Sequence, residues 1–290
     1  MQLNRPVSDR PVGASLSSGP AVVAHAARNG RAVEVMARLG LAARGVTYLI
    51  IALIAAQIAV GGTSQSADQH GALEEVASKP FGGALLIALA VGFAAYACWR
   101  FSAAAFGGHD TSAGSEAKEW AQRLGAFAMG LVYAALCVST ILVLMGRSTS
   151  SSTQQQQGVT ARLLALPFGR PLVIVIGVAI VIGGFVVIWR AFARTFEKRL
   201  ATEKMSPAAR SWATGLGVAG NGAGGVVLVL VGIFLVQAAA ADNPADSKGL
   251  DQTLRTVAHA PFGPALLLIV TAGLAAYGLY SFVEMRFRRV

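Results

Sequence analysis

Five polar or charged side chains interrupt the long apolar segments of this 290-residue sequence: Arg44, Gln57, Tyr96, Asn221 and Tyr277. If those segments cross a membrane, Arg44 could hold an anionic solute or headgroup, and the other four could line a cavity. The structural alternative is that Arg44 extends to the cytosolic interface and the others form interhelical hydrogen bonds, worth roughly 0.5–2 kcal/mol each. We favour the structural alternative.

Other chemistry-bearing residues lack the spacing that catalysis or ligand binding needs. No nucleophile–base pair of a catalytic kind is visible, and no two histidines lie three or four residues apart. Cys98 and Cys137 lie in apolar runs, which gives no disulfide framework or cysteine-rich metal site. We therefore expect no enzyme, no metal site and no cofactor.

Two further patterns have structural explanations. Glu284 lies four residues before Arg288, so we favour a helical ion pair over a proton relay. The stretch GLGVAG at 215–220 formally matches a dinucleotide-binding fingerprint, which requires a preceding strand. Here it opens an apolar segment, so we expect Gly220 and Gly224 to form a helix contact face instead.

Composition places the chain in a membrane. Hydrophobic residues make up 54% and charged residues 13%, which argues against both a soluble globular protein and a disordered one. A hydrocarbon core about 30 Å thick needs about 20 apolar residues per helix. Six segments qualify, so the sequence predicts an all-α integral membrane protein with spans at 40–61, 82–102, 124–146, 170–190, 216–240 and 262–283.

Basic residues predict the orientation. With the N-terminus in the cytosol, 18 of the 24 Lys and Arg residues fall on the cytosolic side. We therefore expect a bacterial plasma-membrane protein with both termini cytosolic. Anionic headgroups are sufficient partners for the net charge of +10, so no nucleic acid is needed. Residues 1–30 contain no signal-peptide pattern and are expected to form a flexible cytosolic tail.

The sequence repeats three times. Each odd-numbered span is entered by a Leu-Gly pair, and each even-numbered span opens with Pro-Phe-Gly, so we assign repeats to 31–110, 115–200 and 205–290. The glycines should admit a close backbone, the Pro should occupy a first helical turn and the Phe should lie at the interface. The repeat-defining residues are Gly40, Gly125 and Gly217 with Pro80, Phe81, Gly82, Pro167, Phe168, Gly169, Pro261, Phe262 and Gly263.

Short amphipathic stretches flank the spans. Apolar pairs precede each Pro-Phe-Gly and predict surface helices on the outer side. Those pairs are Leu73 with Val76, Val159 with Leu163, and Leu254 with Val257. Upstream of each Leu-Gly, the stretches RAVEVMARLG, EAKEWAQRLG and AARSWATGLG are second candidates, with Trp120 and Trp212 as headgroup anchors.

These three two-helix repeats resemble the bacterial domain-of-unknown-function family numbered 1206. The resemblance covers about residues 30–290 and implies a membrane protein, mainly actinobacterial, with no activity or catalytic residue to transfer. Copy two departs from the pattern, because Trp189-Arg190 lies three residues later than Trp99-Arg100. Three copies in one orientation predict a pseudo-threefold ring about the membrane normal.

Two functions fit this architecture. The first is a structural or accessory subunit of a larger cell-envelope complex, and we favour it because no catalytic group is evident. The alternative is a small-solute or lipid transporter, or a channel-like protein, with a site on the pseudo-threefold axis. Arg44, Gln57, Tyr96, Asn221 and Tyr277 would then line that site.

Overall fold

The described part of the chain is helical. The computed structural model describes residues 20–61, 65–106, 116–147 and 151–288. Within them, nine α-helices follow in order: α1 (Pro20–Ala59), α2 (Gln69–Ala77), α3 (Gly82–Phe106), α4 (Glu116–Leu144), α5 (Ser152–Leu164), α6 (Gly169–Phe192), α7 (Pro207–Ala240), α8 (Leu250–Ala258) and α9 (Gly263–Phe287). Short 3-10 turns lie at Thr195–Arg199, Thr202–Lys204 and Pro244–Asp246.

The six long helices are membrane spans. Each contains a stretch long and apolar enough to cross a bilayer, which confirms the six predicted spans and the all-α membrane fold. The odd spans α1, α4 and α7 all run in one direction, and the even spans α3, α6 and α9 return. We call the side where α1 begins and α9 ends the terminus side, and the opposite side the Pro-Phe-Gly side.

The terminus-side ends of the odd spans differ from the prediction. The amphipathic stretches before each Leu-Gly are not separate surface helices, because α1, α4 and α7 run through them without a break. Helix α1 also begins at Pro20, ten residues inside the predicted flexible tail, in an Ala-rich stretch of good helix formers. Residues 1–19 lie outside the described residues. Trp120 and Trp212 are 70% and 73% exposed, as expected for headgroup anchors.

Each Pro-Phe-Gly is a tight turn into an even span. The Pro lies two residues before the helix, outside its first turn, so that part of the prediction is wrong. The Phe backbone adopts the left-handed conformation in all three copies, with φ of 65°, 65° and 59° at Phe81, Phe168 and Phe262. A side chain on the following Gly would clash with a carbonyl of the preceding short helix. The tripeptide therefore fixes the angle between two helices, and each Phe ring is left exposed.

The short helices α2, α5 and α8 form on the Pro-Phe-Gly side as predicted. Leu73, Val76 and Leu254 are almost fully buried, in agreement with the predicted apolar stripe. In α5 the stripe is misplaced by one residue, since Val159 is 56% exposed and Thr160 is 2% exposed. Thr160 lies seven residues before its Pro, as Leu73 and Leu254 do.

The most extensive packing joins successive repeats. The even span of each repeat packs along the odd span of the next: α3 on α4, α6 on α7, and α9 back on α1. Less extensive interfaces join α1 with α3 and α7 with α9 inside their own repeats. The order of contacts is that of a ring of three hairpins whose last repeat returns to its first.

The second repeat leaves this ring open. Among the described residues, α4 and α6 share no extensive packing interface, although they belong to one hairpin. Only 17% of the residues in their most apolar stretches are buried, against 56% in α1 and 44% in α9. The closed ring expected from the repeats is therefore interrupted by a lateral gap between α4 and α6.

Reciprocal glycine pairs allow the close inter-repeat contacts. Each member of the pairs Gly45–Gly278, Gly177–Gly232 and Gly184–Gly225 lies against the other's carbonyl oxygen.

The repeat-defining glycines differ in how closely they are packed. Gly40 packs against Tyr96 and Gly217 against Phe196, whereas a side chain on Gly125 would meet nothing. The predicted Gly220–Gly224 face is also wrong in part, because only Gly220 lies against another helix, at Tyr277.

Neighbouring glycines of α6 give a matched test of this packing. A Cβ on Gly184 would lie 2.6 Å from Cγ2 of Val229 and 2.9 Å from the Gly225 oxygen, whereas a Cβ on Gly183 would meet nothing within 4 Å. We expect Gly184→Ala to destabilise the protein by about 1–3 kcal/mol and Gly183→Ala to leave stability nearly unchanged. Unfolding of both variants in the same detergent checks this, and equal effects would contradict it.

Candidate functional site

A buried ion pair joins the first repeat to the third. The Arg44 guanidinium on α1 donates through Nη2 to the Glu284 carboxylate on α9, and through Nε to the Ser281 hydroxyl at 3.0 Å. The two charged side chains are only 8% and 7% exposed. The pair lies at the interface where α9 returns to α1, beside the Gly45–Gly278 contact. It therefore links the ends of the ring.

The Arg44 side chain extends toward the terminus side, as the favoured prediction has it, and there its charge meets a carboxylate of the protein. The Arg44 backbone lies level with Gly278, and its guanidinium extends toward Ser281 and Glu284, closer to the terminus side. The direction is the expected one, but the charge ends on a carboxylate of the protein. A low-dielectric interior makes an unpaired charge very costly, so this carboxylate stabilises Arg44 where it lies.

Aromatic rings complete the surroundings of Arg44. Its guanidinium carbon lies 5.0 Å from the centre of the Tyr277 ring, a cation–π distance. Tyr48 contacts the same ring edge-on, with centroids 4.8 Å apart. Tyr277, a predicted site residue, thus belongs to the Arg44 cluster through its ring.

A second cationic group lies beside the first. Arg288 donates to Glu284 at 3.3 Å, which confirms the predicted helical pair, and its guanidinium carbon lies 4.7 Å from the Trp99 ring centre. Arg100 lies 4.8 Å from the same ring and donates to the Tyr96 hydroxyl at 2.7 Å. The predicted site residue Tyr96 therefore accepts a hydrogen bond from Arg100, a residue that the sequence patterns did not identify.

The remaining predicted residues do not join this cluster. The Asn221 amide donates at 2.7 Å to the Gly217 carbonyl of its own helix. Gln57 is half-buried two residues before the Pro-Phe-Gly end of α1. The structure thus brings together Arg44, Tyr96 and Tyr277, and leaves Gln57 and Asn221 apart.

A hollow of about 690 Å³ lies near the start of α7, lined by residues that include Glu197, Arg210 and Thr214. None of its lining residues is one of the five predicted site residues. The Arg44 guanidinium already bonds Glu284 and Ser281 and is buried, so the structure gives it a structural role rather than an open anion site.

A cycle of hydrogen bonds on the Pro-Phe-Gly side joins the three repeats. The residues ten positions before each Pro are His70, Gln157 and Asp251, and each one bonds to the following repeat. His70 contacts Gln155 at 3.0 Å, Gln157 donates to the Ala245 carbonyl at 3.0 Å, and Asp251 accepts from the Ala67 amide at 2.7 Å. Counting back from the repeated tripeptide would have identified these residues in the sequence.

Asp68 strengthens this cycle. One carboxylate oxygen accepts from the Gly71 amide at 2.9 Å and so caps its own helix α2. The other accepts from the Ser152 amide and hydroxyl at 2.9 and 2.7 Å, at the start of α5. Asp68 is fully buried, and one side chain thus serves the first turns of two helices in different repeats.

The protonation of His70 is coupled to this cycle. Burial lowers the pKa of His70 below its usual value, and the carboxylates of Asp68 and Glu74 oppose that effect. The contact with Gln155 joins the ring nitrogen Nε2 to the amide nitrogen, which can only donate. With the Gln155 amide in this orientation, Nε2 accepts, which is the arrangement of a neutral imidazole.

The buried pair predicts a sharp mutational asymmetry. Glu284→Gln leaves Arg44 without its carboxylate and should cost about 3–5 kcal/mol of stability. The double variant Arg44→Met, Glu284→Gln should recover most of this loss, because Met129 stands at the equivalent position of the second repeat. Glu34→Gln removes the exposed pair with Arg38 and should cost less than about 1 kcal/mol. Unfolding midpoints in one detergent measure all three, and an additive double variant would contradict the pairing.

His70 predicts a loss of stability in mild acid. Since its folded-state pKa is lowered, folding favours the neutral ring, and stability present above the ordinary value of about 6.5 is lost as the pH falls below it. Hydrogen exchange of α2 should therefore accelerate between about pH 6.5 and 5.5 in the wild type. His70→Gln, which carries the Gln of the second repeat, should remove this dependence. An unchanged pH profile in that variant would contradict the assignment to His70.

Comparisons with known proteins agree with the threefold repeat. Residues 39–107, 124–194 and 219–288 each match the family described as Domain of Unknown Function (DUF1206). The chain is also similar to a protein of Bacillus subtilis strain 168 described as uncharacterized protein YxxB. The two are 27% identical over 248 residues, which cover 85% of this chain and 88% of the relative. No solved structure matches the chain. Because the three matched segments cover most of its length, the chain belongs to the DUF1206 family and carries three tandem copies of its domain.

Proposed function

We propose that this chain is a non-catalytic bacterial plasma-membrane protein that binds another membrane protein through its second repeat. It would act as an accessory subunit of a larger complex, with both termini in the cytosol. The observation that carries the proposal is the lack of an extensive interface between α4 and α6. The distribution of basic residues, 18 of 24 on the terminus side, supports the orientation.

An exposed apolar face alone would not favour a partner, because lipid satisfies such a face. The second repeat differs from the others in a further way. Its two helices are held by α3 and α7 on either side, and α5 is tied to the other repeats by the hydrogen bonds of Ser152 and Gln157. The helices on both sides of the gap are therefore fixed in position, which favours binding of one partner helix in one orientation.

The chemistry of the gap suits a transmembrane helix. Helices α4 and α6 carry large apolar side chains such as Val138 and Val175, which are 57% and 64% exposed. Gly183 of α6 has no neighbour within 4 Å of its Cβ position, so a partner backbone can approach it closely. Close approach at small residues is the main source of affinity between membrane helices.

A pair of open glycines tests the proposal. Gly183→Phe fills the space beside α6, and Gly222→Phe makes the same change on α7, where the Cβ position is equally open. After purification from native membranes in a mild detergent, the wild type should carry one partner protein at a fixed stoichiometry. Gly183→Phe should lose at least nine-tenths of this partner, and Gly222→Phe should retain it.

Both variants should keep the unfolding midpoint of the wild type, since neither side chain meets the chain's own atoms. Recovery of the wild type as a monomer with lipid alone would overturn the proposal. Equal retention of the partner by the two variants would place the docking surface outside the second repeat.

A further inference from the structure

Arg100 occupies a position where the repeat symmetry leaves a positive charge without a carboxylate. Counting from the Pro-Phe-Gly, Arg100 of α3 corresponds to Ser281 of α9, and Trp99 corresponds to Tyr280. Glu284, which neutralises Arg44 in the third repeat, corresponds to Ala103 in the first. The terminus-side end of α3 therefore carries an arginine and lacks the acid that the same end of α9 provides.

The contacts of Arg100 leave donors available. Its guanidinium bonds the Tyr96 hydroxyl and lies over the Tyr96 and Trp99 rings, at 5.1 and 4.8 Å from their centres. Its Nε atom is buried and has no hydrogen-bond partner among the described residues, and no ion pair is formed there. A guanidinium has five N–H donors, so these contacts satisfy only a part of them.

A second guanidinium approaches from α9. Arg288 lies 4.7 Å from the Trp99 ring centre, and Arg100 lies 4.8 Å from it, so the two charges are within about 10 Å of each other. Arg100 and Arg288 therefore share the Trp99 ring, and the Glu284 carboxylate that bonds Arg288 also bonds Arg44. An anion beside Arg100 would lower the repulsion between these positive charges.

The depth of Arg100 matches a headgroup phosphate. It lies 18 residues after Gly82, the first residue of α3, which corresponds to about 27 Å along the helix. A hydrocarbon core is about 30 Å thick, so the guanidinium lies at the lipid–water boundary of the terminus side. Trp99 beside it is a residue type that favours that boundary.

We propose that Arg100, Trp99 and Arg288 bind the phosphate of an anionic phospholipid at the terminus side. This phosphate supplies at the end of α3 the negative charge that Glu284 supplies at the end of α9. The two guanidiniums offer charge-assisted hydrogen bonds to its oxygens, and the Trp99 ring fixes their positions. The site is built from the first and third repeats, and it is separate from the gap in the second.

Native mass spectrometry of the purified full chain in detergent tests the site with defined lipids. Phosphatidylglycerol is the anionic probe, phosphatidylcholine is the zwitterionic control, and inorganic phosphate is the soluble control. The first phosphatidylglycerol should bind the wild type at least tenfold more tightly than the first phosphatidylcholine. Inorganic phosphate should not displace it at millimolar concentration.

Three variants locate the binding. Arg100→Gln should weaken phosphatidylglycerol binding at least tenfold, while Arg286→Gln, an exposed arginine near the end of α9, should not change it. Ala103→Glu supplies the missing carboxylate three residues from Arg100, so it should abolish the preference for phosphatidylglycerol and raise the unfolding midpoint. This third variant keeps the test informative if Arg100→Gln fails to fold.

The opposite results are equally clear. Equal binding of the two lipids by the wild type, or an unchanged preference in Ala103→Glu, would overturn the proposal. Displacement of the lipid by inorganic phosphate would assign the site to a soluble phosphate. An equal loss of phosphatidylglycerol binding in Arg286→Gln would show that binding depends only on the overall positive charge of the terminus side, which would also overturn the proposal.

Discussion

Close packing between successive repeats is the constraint on which this structure depends. In a bilayer, apolar side chains gain little by leaving lipid for protein, so helices associate through shape and polar groups. The pairs Gly45–Gly278, Gly177–Gly232 and Gly184–Gly225 bring backbones together at two of the three interfaces between successive repeats, α9 with α1 and α6 with α7. The hydrogen bonds of His70, Gln157 and Asp251 join all three repeats in the same order on the Pro-Phe-Gly side. Surface hydrogen bonds thus define the whole cyclic order, and glycine packing within the membrane supports two of its three junctions.

The three copies have diverged within that common order. The Arg44–Glu284 pair exists only where the third repeat returns to the first, because Met129 and Ala103 stand at equivalent positions elsewhere. The second repeat lacks an extensive interface between its own helices and keeps its place through its neighbours. The symmetric parts therefore account for the fold, and the departures from symmetry mark the surfaces proposed for a partner and for a lipid phosphate.

Much of the fold could be predicted from the sequence, because hydropathy identifies spans and a repeated tripeptide identifies copies. The site was harder to predict. Arg44 and Glu284 are 240 residues apart, and no spacing rule connects them. The gap between α4 and α6 gives no signal either, since an apolar face has the same composition toward lipid as toward protein. The wrong prediction that Val159 is buried was avoidable. Aligning the three repeats on their Pro residues places Thr160, seven residues before Pro167, on the buried stripe.

Disulfide cross-linking in membranes tests the cyclic order most directly. With Cys98 and Cys137 replaced by Ser, the pair Leu49→Cys and Gly278→Cys joins α1 to α9, where the Gly278 Cβ position lies 2.9 Å from Cγ of Leu49. The pair Val138→Cys and Val175→Cys spans α4 and α6 across the gap. The structure predicts rapid intramolecular cross-linking of the first pair and none of the second. Cross-linking of the second pair without the first would contradict the order of helices described here.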